Sequence, residues 1–439
     1  MKAVDNVTVP VRKALRTVAR DASLSAVVAG IISALVNYSG PFLIVLAATR
    51  AAGLDEAHTA SWVWAVSIGN GLCSIALSAF TRIPVIVAWS TPGAALLIAS
   101  LGGFAFSDAV GAFLVASVAA AIAGWTGWFG WLLDHVPAPV LQALLAGVLL
   151  PFVVTATDAF ASAPLLAGSV IVAFFVGKRL VDRYAVPLAL VVGIAVAAVA
   201  GAFEPVTTGF SVTVPVLTVP TFDPAALVSI GLPLFIVTMA SQNAPGLALL
   251  RSEGYRPDDR LLVGSISTAS AVLTPFGNHG INIAAITAAI ATGPESHPDR
   301  SRRWIAGLSA GTVYLLVGVF GGFLVAGFQS IPAETITALA AVALLASTLT
   351  ALSGAVSGAT NGAPHSAVAA LTTLAVTMSG VVLLNVGSAF WGVLAGSAVY
   401  LALRPRSPRP EPAALSGTPR VPSSHVPGPA CASRRSPRR

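Results

Sequence analysis

From Leu24 to Leu403 the sequence is a succession of apolar runs, each about as long as a bilayer is thick, cut at charged or Pro/Gly-rich breaks. A helix needs roughly 17 to 25 such residues to cross the hydrocarbon core. Dividing the chain at those breaks gives candidate segments near residues 24–49, 60–80, 84–101, 108–133, 139–157, 160–178, 184–203, 226–250, 260–274, 277–292, 303–328, 333–351, 365–382 and 384–403, fourteen in all. Only 9% of the 439 residues are charged and 56% are hydrophobic, against roughly a quarter charged in soluble domains. The fold class is therefore an all-α polytopic membrane protein with 14 transmembrane segments.

Charge supplies an independent check on the count. With the N-terminus in the cytoplasm, Arg82, the Lys178/Arg179/Arg183 group, Arg251/Arg256/Arg260 and Arg300/Arg302/Arg303 all fall on cytoplasmic loops, and only Arg50 of the 24 basic residues lies outside. Moving the count by one helix reverses this bias for every later loop, against the positive-inside rule. Both termini are thus expected in the cytoplasm of a cell whose inner membrane holds the chain. The net charge of +7 belongs to that pattern, so no nucleic acid is expected as a partner. The tail after Arg404 is rich in Pro, Ser and Arg and is expected to be disordered.

Two pairs of segments share features. Segment one carries "NYSGPFLIVLAA" (37–48) and segment eight "SQNAPGLALL" (241–250), each a polar cluster followed by Pro41 or Pro245. Segment three carries "IPVIVAWSTPGAALL" (83–97) and segment ten "AVLTPFGNHGINIAAI" (271–286). The period is seven helices, and because seven is odd the second copy enters the membrane from the opposite side, the inverted repeat common in secondary transporters. The expected organisation is a tail over 1–22, a first repeat over 23–205, an extracytoplasmic linker over 206–225, a second repeat over 226–403 and a tail over 404–439.

In segment three, Pro84 and Pro92 bracket the β-branched run Val85, Ile86, Val87, which favours extended backbone. Pro92 fits the first turn of a new helix capped by Ser90 or Thr91. Segment ten repeats the pattern with Pro275, then Gly277 and Asn278 ahead of a helix expected to start near Gly280. Irregular backbone at membrane depth survives only where it is buried in protein or lines a cavity, so the two extended pieces are expected to pair. Both half-helices would then aim their positive ends at the bilayer middle, an anion site made without a buried Lys or Arg. The competing reading is that Pro and Gly merely kink ordinary spans.

His279 is the ionisable residue placed near the middle of a span, which makes it a candidate proton carrier or carboxylate partner; the alternative is a neutral imidazole bonded to neighbouring backbone. Asn278 and Asn282 share a helix face if the helix has already begun, and either line the site or bond between helices. Gln242 and Asn243 offer uncharged amides beside Pro245. Tyr38 and Phe42, with Trp89 and Phe276, offer ring surface to an aromatic ligand or simply pack. The sequence has no G-x-x-x-x-G-K-[ST], H-E-x-x-H or G-x-S-x-G pattern, and so no constellation for nucleotide hydrolysis, a metal centre or an intramembrane enzyme. Cys73 and Cys431 are too few for a disulfide framework.

The stretches "MASQNAPGLALLRSEGYRPD" (239–258), "TPFGNHGINIAAITAAIATGPESHPDRSRRWIAG" (274–307) and "WSTPGAALL" (89–97) resemble the benzoate/proton symporter family, BenE, across residues 20–403. The resemblance implies a uracil-transporter-like fold. In it, a core of helices 1–4 and 8–11 moves against a gate of helices 5–7 and 12–14, commonly in a homodimer. Related nucleobase transporters carry glutamates in helices eight and ten, where this chain has Gln242/Asn243 and Asn278/His279, a departure that suits an anionic substrate. The resemblance implies proton-coupled uptake of benzoate or a similar aromatic carboxylate, with no cofactor besides the coupling proton. The expected substrate-binding residues are Tyr38, Trp89, Ser90, Thr91, Gln242, Asn243, Gly277, Asn278 and Asn282, with His279 or the substrate itself carrying the proton. A nucleobase, an inorganic anion, or an anion channel on the same scaffold remain the alternatives.

Overall fold

Helix starts follow the polar residues that precede apolar runs. The computed structural model describes residues 17–128, 137–181, 185–203, 212–284, 286–294, 296–360, 364–381, 383 and 388–404. The helices are α1 (Leu24–Ser39), α2 (Pro41–Ala51), α3 (Glu56–Thr81), α4 (Thr91–Ser100), α5 (Phe106–Thr126), α6 (Ala138–Ser162), α7 (Pro164–Leu180) and α8 (Ala185–Val199). They continue with α9 (Pro224–Ser252), α10 (Asp259–Leu273), α11 (Ile286–Thr292), α12 (Trp304–Val319), α13 (Gly321–Gln329), α14 (Ala333–Thr360), α15 (Pro364–Met378) and α16 (Ser388–Leu403). Ser23, Asp55, Asp223 and Asp258 cap α1, α3, α9 and α10, each side chain accepting a first-turn backbone N–H. Pro41, Pro164 and Pro224 occupy first turns, where a missing N–H costs nothing.

Among the described residues, six helices are long and apolar enough to cross a bilayer: Leu24–Ala51, Glu56–Thr81, Phe106–Thr126, Ala138–Ser162, Pro224–Ser252 and Ala333–Ser357. A bent pair, Arg300–Val319 with Gly321–Phe328, makes a seventh when counted as one. Thr91–Gly103, Ala185–Val199, His365–Met378 and Ser388–Leu403 are shorter apolar helices. Segment one is interrupted at the single residue Gly40, before Pro41, and segment eleven bends by 76° at Phe320, just before Gly321 and Gly322. Segment four ends its helix at Thr126, where Gly127 takes φ 78°; the remainder of its expected span lies outside the described residues, apart from Trp128. Segment eight is continuous but carries π turns at Leu227–Gly231 and Met239–Asn243, the second placing Gln242 and Asn243 in a widened turn. The expected disordered tail and N-terminal arm lie outside the described residues, except Arg404 and residues 17–22.

Segments three and ten do pair. Strand β1 (Val87–Trp89) runs antiparallel to β2 (Ile281–Ile283), with Val87 opposite Ile283, Ala88 opposite Asn282 and Trp89 opposite Ile281. Ser90 N–H to Gly280 O at 2.9 Å and Ala284 N–H to Ile86 O at 2.9 Å extend the ladder by one pair at each end. A two-stranded sheet leaves outward N–H groups on both edges, and hydrocarbon cannot satisfy them. Side chains from flanking helices do so: Ser78 and Ser74 of α3 accept from Val85 (3.0 Å) and Val87 (2.9 Å), Ser270 of α10 from Ile281 (3.3 Å), and Asn243 of α9 from Ile283 (3.1 Å).

The expected helix start near Gly280 is corrected by this pairing. Gly277 at φ 99° and Gly280 at φ 136° stop any helix before β2, and α11 begins only at Ile286. Asn278 and Asn282 therefore share no helix face: Asn278 precedes the strand and Asn282 lies within it.

Helix packing is unchanged by exchanging each segment with the one seven later. α3 packs on α12 as α10 packs on α5, α1 on α12 as α9 on α5, α6 on α15 as α14 on α7, and α7 on α8 as α15 on α16. Small residues permit two close crossings at repeat-related places. A Cβ on Gly71 would lie 2.8 Å from Gly311 O, and one on Gly124 would lie 2.6 Å from Gly264 N, so α3/α12 and α5/α10 touch backbone to backbone.

Candidate functional site

A cavity of about 620 Å³ opens beside the strand crossing, within the range of small-molecule sites. Ala88 and Trp89 of β1, Thr91 of α4, Ala284 after β2 and Gln242 of α9 form one wall with Asn37 of α1. Phe174 and Lys178 of α7, Val186 and Pro187 of α8, and Ala343 and Ser347 of α14 form the facing wall. Among the described lining residues none is acidic and Lys178 carries the one formal charge.

The first turn of α4 explains what the cavity can hold. Ser90 Oγ accepts from Gly93 N–H at 3.1 Å and from the Thr238 hydroxyl at 3.1 Å. Pro92 has no N–H, so Thr91 is the residue of this turn that presents the positive helix end to the cavity. Trp89 adds an indole face, and its own N–H is buried without a partner among the described residues. The combination can receive a flat apolar ring and an anionic or hydrogen-bond-accepting group.

Of the residues singled out from sequence, Trp89, Thr91 and Gln242 line this cavity. The others are turned elsewhere. Tyr38 donates to Ser67 Oγ at 2.6 Å and packs in a ring cluster, its centroid 5.1 Å from that of Trp89 and 5.5 Å from that of Phe42. Its neighbour Asn37 takes the cavity position. Phe276 packs on Trp64 instead. Ser90 is the α4 cap, and Asn243 closes the β2 edge while its Nδ2 lies 3.7 Å from Met239 Sδ. Asn278 accepts from Gly280 N–H at 3.0 Å and donates to Ser270 O at 3.2 Å. Gly277 supplies the left-handed turn after Phe276. The Asn282 amide is fully buried and has no partner among the described residues; directly opposite it on the sheet, and so on the same face, is cavity-lining Ala88.

His279 is buried and does not line the cavity. The Trp62 indole N–H donates to its Nδ1 at 2.9 Å, and its Nε2 lies 3.1 Å from Ser90 O. A carbonyl can only accept, so Nε2 carries the hydrogen and Nδ1 is the acceptor: a neutral tautomer with both nitrogens engaged. Beside it is a void of about 10 Å³ walled by Ser117, Thr238, Ser267 and Ser270, room for about one water.

Asn37, Phe174, Lys178, Thr287 and Ser347 are lining residues that the sequence did not mark as a site. Their one legible signal is the spacing of Phe174 and Lys178, four apart and hence on one helix face, but at a cytoplasmic helix end that spacing equally describes an orientation signal.

Comparison with known proteins adds the remaining evidence. The family model described as benzoate membrane transport protein (BenE) matches residues 20–402. The inner membrane protein YdcO of Escherichia coli is 36% identical over 375 residues, 85% of this chain and 95% of that protein. The benzoate membrane transport protein of Acinetobacter baylyi is 33% identical over 394 residues, 90% of this chain and 99% of that one. Among solved structures, the transmembrane domain of the cyanobacterial bicarbonate transporter BicA aligns with a TM-score of 0.57 at 14% identity, over 85% of this chain and 96% of that one. SLC26A9 aligns with a TM-score of 0.60 at 11% identity, over 86% of this chain and 65% of that one. Those two likenesses concern the fold alone. With a family match spanning nearly the whole membrane region and two full-length relatives above 30% identity, this chain belongs to the benzoate membrane transport protein (BenE) family.

Proposed function

We propose that the chain carries benzoate or a closely similar aromatic carboxylate into the cell together with a proton, as a secondary active transporter of fourteen segments arranged in two inverted repeats. The observation that carries this reading is the cavity wall: Trp89 and Phe174 give ring surface, Thr91 gives a positive helix end, Gln242 and Asn37 give neutral amides, and no acidic residue is among the described lining. A carboxylate in such a site meets donors and no like charge. A bidentate cation is not needed, because a helix end and neutral amides suffice to hold a single anion.

The exchange symmetry of the packing supports the repeat, and the antiparallel strands at its centre fit halves that enter from opposite faces. The cavity reaches Lys178, Pro187, Gly293 and Pro294, the side that the distribution of basic residues assigns to the cytoplasm. On the other side, residues 213–221 are tied across the helix ends. Thr213 N–H bonds Val319 O, Thr218 N–H bonds Pro275 O and Thr221 N–H bonds Ser107 O. The described conformation is then an inward-open state with the outer face closed.

In this reading the proton travels with the carboxylate, and His279 is a neutral strut. Protonating Nδ1 would require Trp62 to withdraw.

Uptake of labelled benzoate into proteoliposomes, with and without an inward proton gradient, tests the proposal. Gradient-stimulated uptake that unlabelled benzoate competes away is the expected result. A thermal-shift series over benzoate, uracil, xanthine and sulfate accompanies it, because a ligand of the folded state raises apparent stability. Stabilisation by uracil or sulfate and none by benzoate overturns the substrate assignment, and single-channel currents would overturn the carrier mechanism.

A further inference from the structure

We propose that Asn37 makes the cavity selective for aromatic carboxylates that carry a ring hydroxyl, accepting the hydroxyl hydrogen at Oδ1, so that a hydroxybenzoate is held more tightly than benzoate itself. The inference narrows the substrate class of the function proposed above and rests on that reading for the carboxylate, while the direction of the new hydrogen bond is argued from Asn37 alone.

Three observations carry it. Asn37 lines the cavity although only 3% of it is exposed. Its Nδ2 donates to the Tyr314 hydroxyl at 3.1 Å. Tyr314 is fully buried on α12, its ring centroid 6.3 Å from that of Trp89 and 5.7 Å from that of Tyr38. The bond to Tyr314 sets the plane of the amide and commits its donor. Oδ1, which has no partner among the described residues, is then the polar atom that Asn37 offers to the cavity. A carboxylate only accepts and is repelled by such an oxygen, whereas a hydroxyl donates to it. A site arranged to bond a ligand hydroxyl also disfavours the analogue without one, because its own polar atom is then left unpaired.

The two amides of the wall divide the work. The Gln242 side chain makes no hydrogen bond among the described residues, so its N–H is free to turn toward a carboxylate held at the first turn of α4, beside Thr91. The ligand ring lies against Trp89. Asn37, tied to a tyrosine that packs on that indole, meets a substituent on the edge of the ring.

The test measures binding to the purified full-length chain, by titration calorimetry, of benzoate and of the three isomers each of hydroxy-, amino- and methoxybenzoate. In the wild type at least one hydroxybenzoate is expected to bind about fivefold more tightly than benzoate, the ordinary worth of a neutral hydrogen bond. The amino compound of the same isomer should gain as well, and the methoxy compound, which keeps the oxygen and lacks the hydrogen, should gain nothing. Asn37→Leu should bring the ratio of benzoate to hydroxybenzoate Kd down to about one. Tyr314→Phe releases the amide to turn over, so there the methoxy compound should gain and the hydroxyl preference shrink, a change of ligand order that a loss of packing alone does not produce. The wild-type series decides the matter even where a variant fails to fold.

Equal affinity for benzoate and every hydroxybenzoate in the wild type overturns the proposal. A methoxy compound that gains as much as the hydroxy one also overturns it, since Asn37 would then be presenting Nδ2. So does a preference that survives in Asn37→Leu, including the case in which benzoate and hydroxybenzoate weaken together because Oδ1 receives the carboxyl hydrogen of the neutral acid. Benzoate binding without a hydroxyl preference counts against this inference alone, whereas a chain that binds none of these carboxylates overturns it together with the proposed substrate.

Discussion

Trp62 and His279 are joined by an indole N–H donated to imidazole Nδ1 at 2.9 Å, both buried and neither lining the cavity. The bond fixes which nitrogen bears the hydrogen, because Nε2 must then donate to Ser90 O. Ser90 in turn caps α4. The histidine thus holds the strand-to-helix junction that positions Thr91, and acts on the site through Ser90.

This arrangement separates two roles for His279. His279→Ala orphans the Trp62 N–H and empties part of a packed interior, so a loss of about 2–4 kcal/mol is expected, seen as a lower melting temperature in detergent. His279→Gln, which can accept and donate, should recover part of it. Where folded protein is obtained, dependence of uptake on the proton gradient should survive both changes. A His279→Gln protein of normal stability with gradient-independent uptake would make the histidine the proton carrier and discard the strut.

Gln242 and Asn243 are adjacent in sequence and opposite in consequence. Gln242 lines the cavity, whereas the Asn243 side-chain oxygen accepts the Ile283 N–H at the edge of β2. Gln242→Leu should weaken benzoate binding about tenfold, the order expected for one hydrogen bond to a charged group, with an unchanged melting temperature without ligand. Asn243→Leu leaves a buried strand N–H unpaired and should cost about 1–3 kcal/mol of stability. Ligand titration and thermal denaturation of the two proteins check this together, and equal effects in both assays would show that the widened turn does not separate their roles.

Segment three was legible because its instructions are local. Two prolines around a β-branched run dictate extended chain, and Ser90 with Pro92 starts a helix whatever lies beyond. Segment ten looked like the same pattern shifted, yet its helix begins only at Ile286. Asn278 and Gly280 read as a helix start; the pairing of the two extended pieces was legible, but the register that puts Ile281–Ile283 in the strand is set against the other half of the chain, which no window of sequence contains. That Asn37 and not Tyr38 lines the cavity is illegible for a related reason. Neighbours on a helix point about 100° apart, and which of them meets a cavity depends on how the helix is rotated in the bundle. Lys178 was hidden by an adequate simpler explanation, since a basic residue at a cytoplasmic helix end already satisfies the positive-inside rule.

The edges of the strand pair yield a further prediction. Ser74 accepts from Val87 N–H, and Ser270 accepts from Ile281 N–H while also meeting Ser117 at 3.1 Å. Ser74→Ala and Ser270→Ala should each destabilise by about 1–3 kcal/mol, the cost of an unsatisfied buried donor. Ser270→Ala should cost more, because the Asn278 amide also leans on that hydroxyl at 3.4 Å. Hydrogen exchange at Val87 and Ile281 is the direct measurement; protection undiminished in the alanine variants would mean that the strand edges are satisfied by another route.

Gly246 tests how closely α9 must approach β2. A Cβ there would lie 2.8 Å from Ile283 O and 2.7 Å from Ile283 Cγ2, and a backbone oxygen in a paired strand cannot step aside as a flexible side chain can. Ordinarily Gly→Ala in a helix stabilises through helix propensity, by up to about 1 kcal/mol. Here overpacking opposes it by about 1–3 kcal/mol, so Gly246→Ala should be net destabilising. Because Ile283 precedes Ala284 at the cavity wall, the same change should also weaken benzoate binding. Ile283→Ala removes Cγ2 and with it the 2.7 Å contact, leaving the clashes with the Ile283 carbonyl and Cβ. A smaller cost of Gly246→Ala in the Ile283→Ala background than in the wild type, measured by thermal denaturation, is the expected outcome; a stable Gly246→Ala protein with wild-type affinity would show that α9 can move away from the strand without disturbing the site.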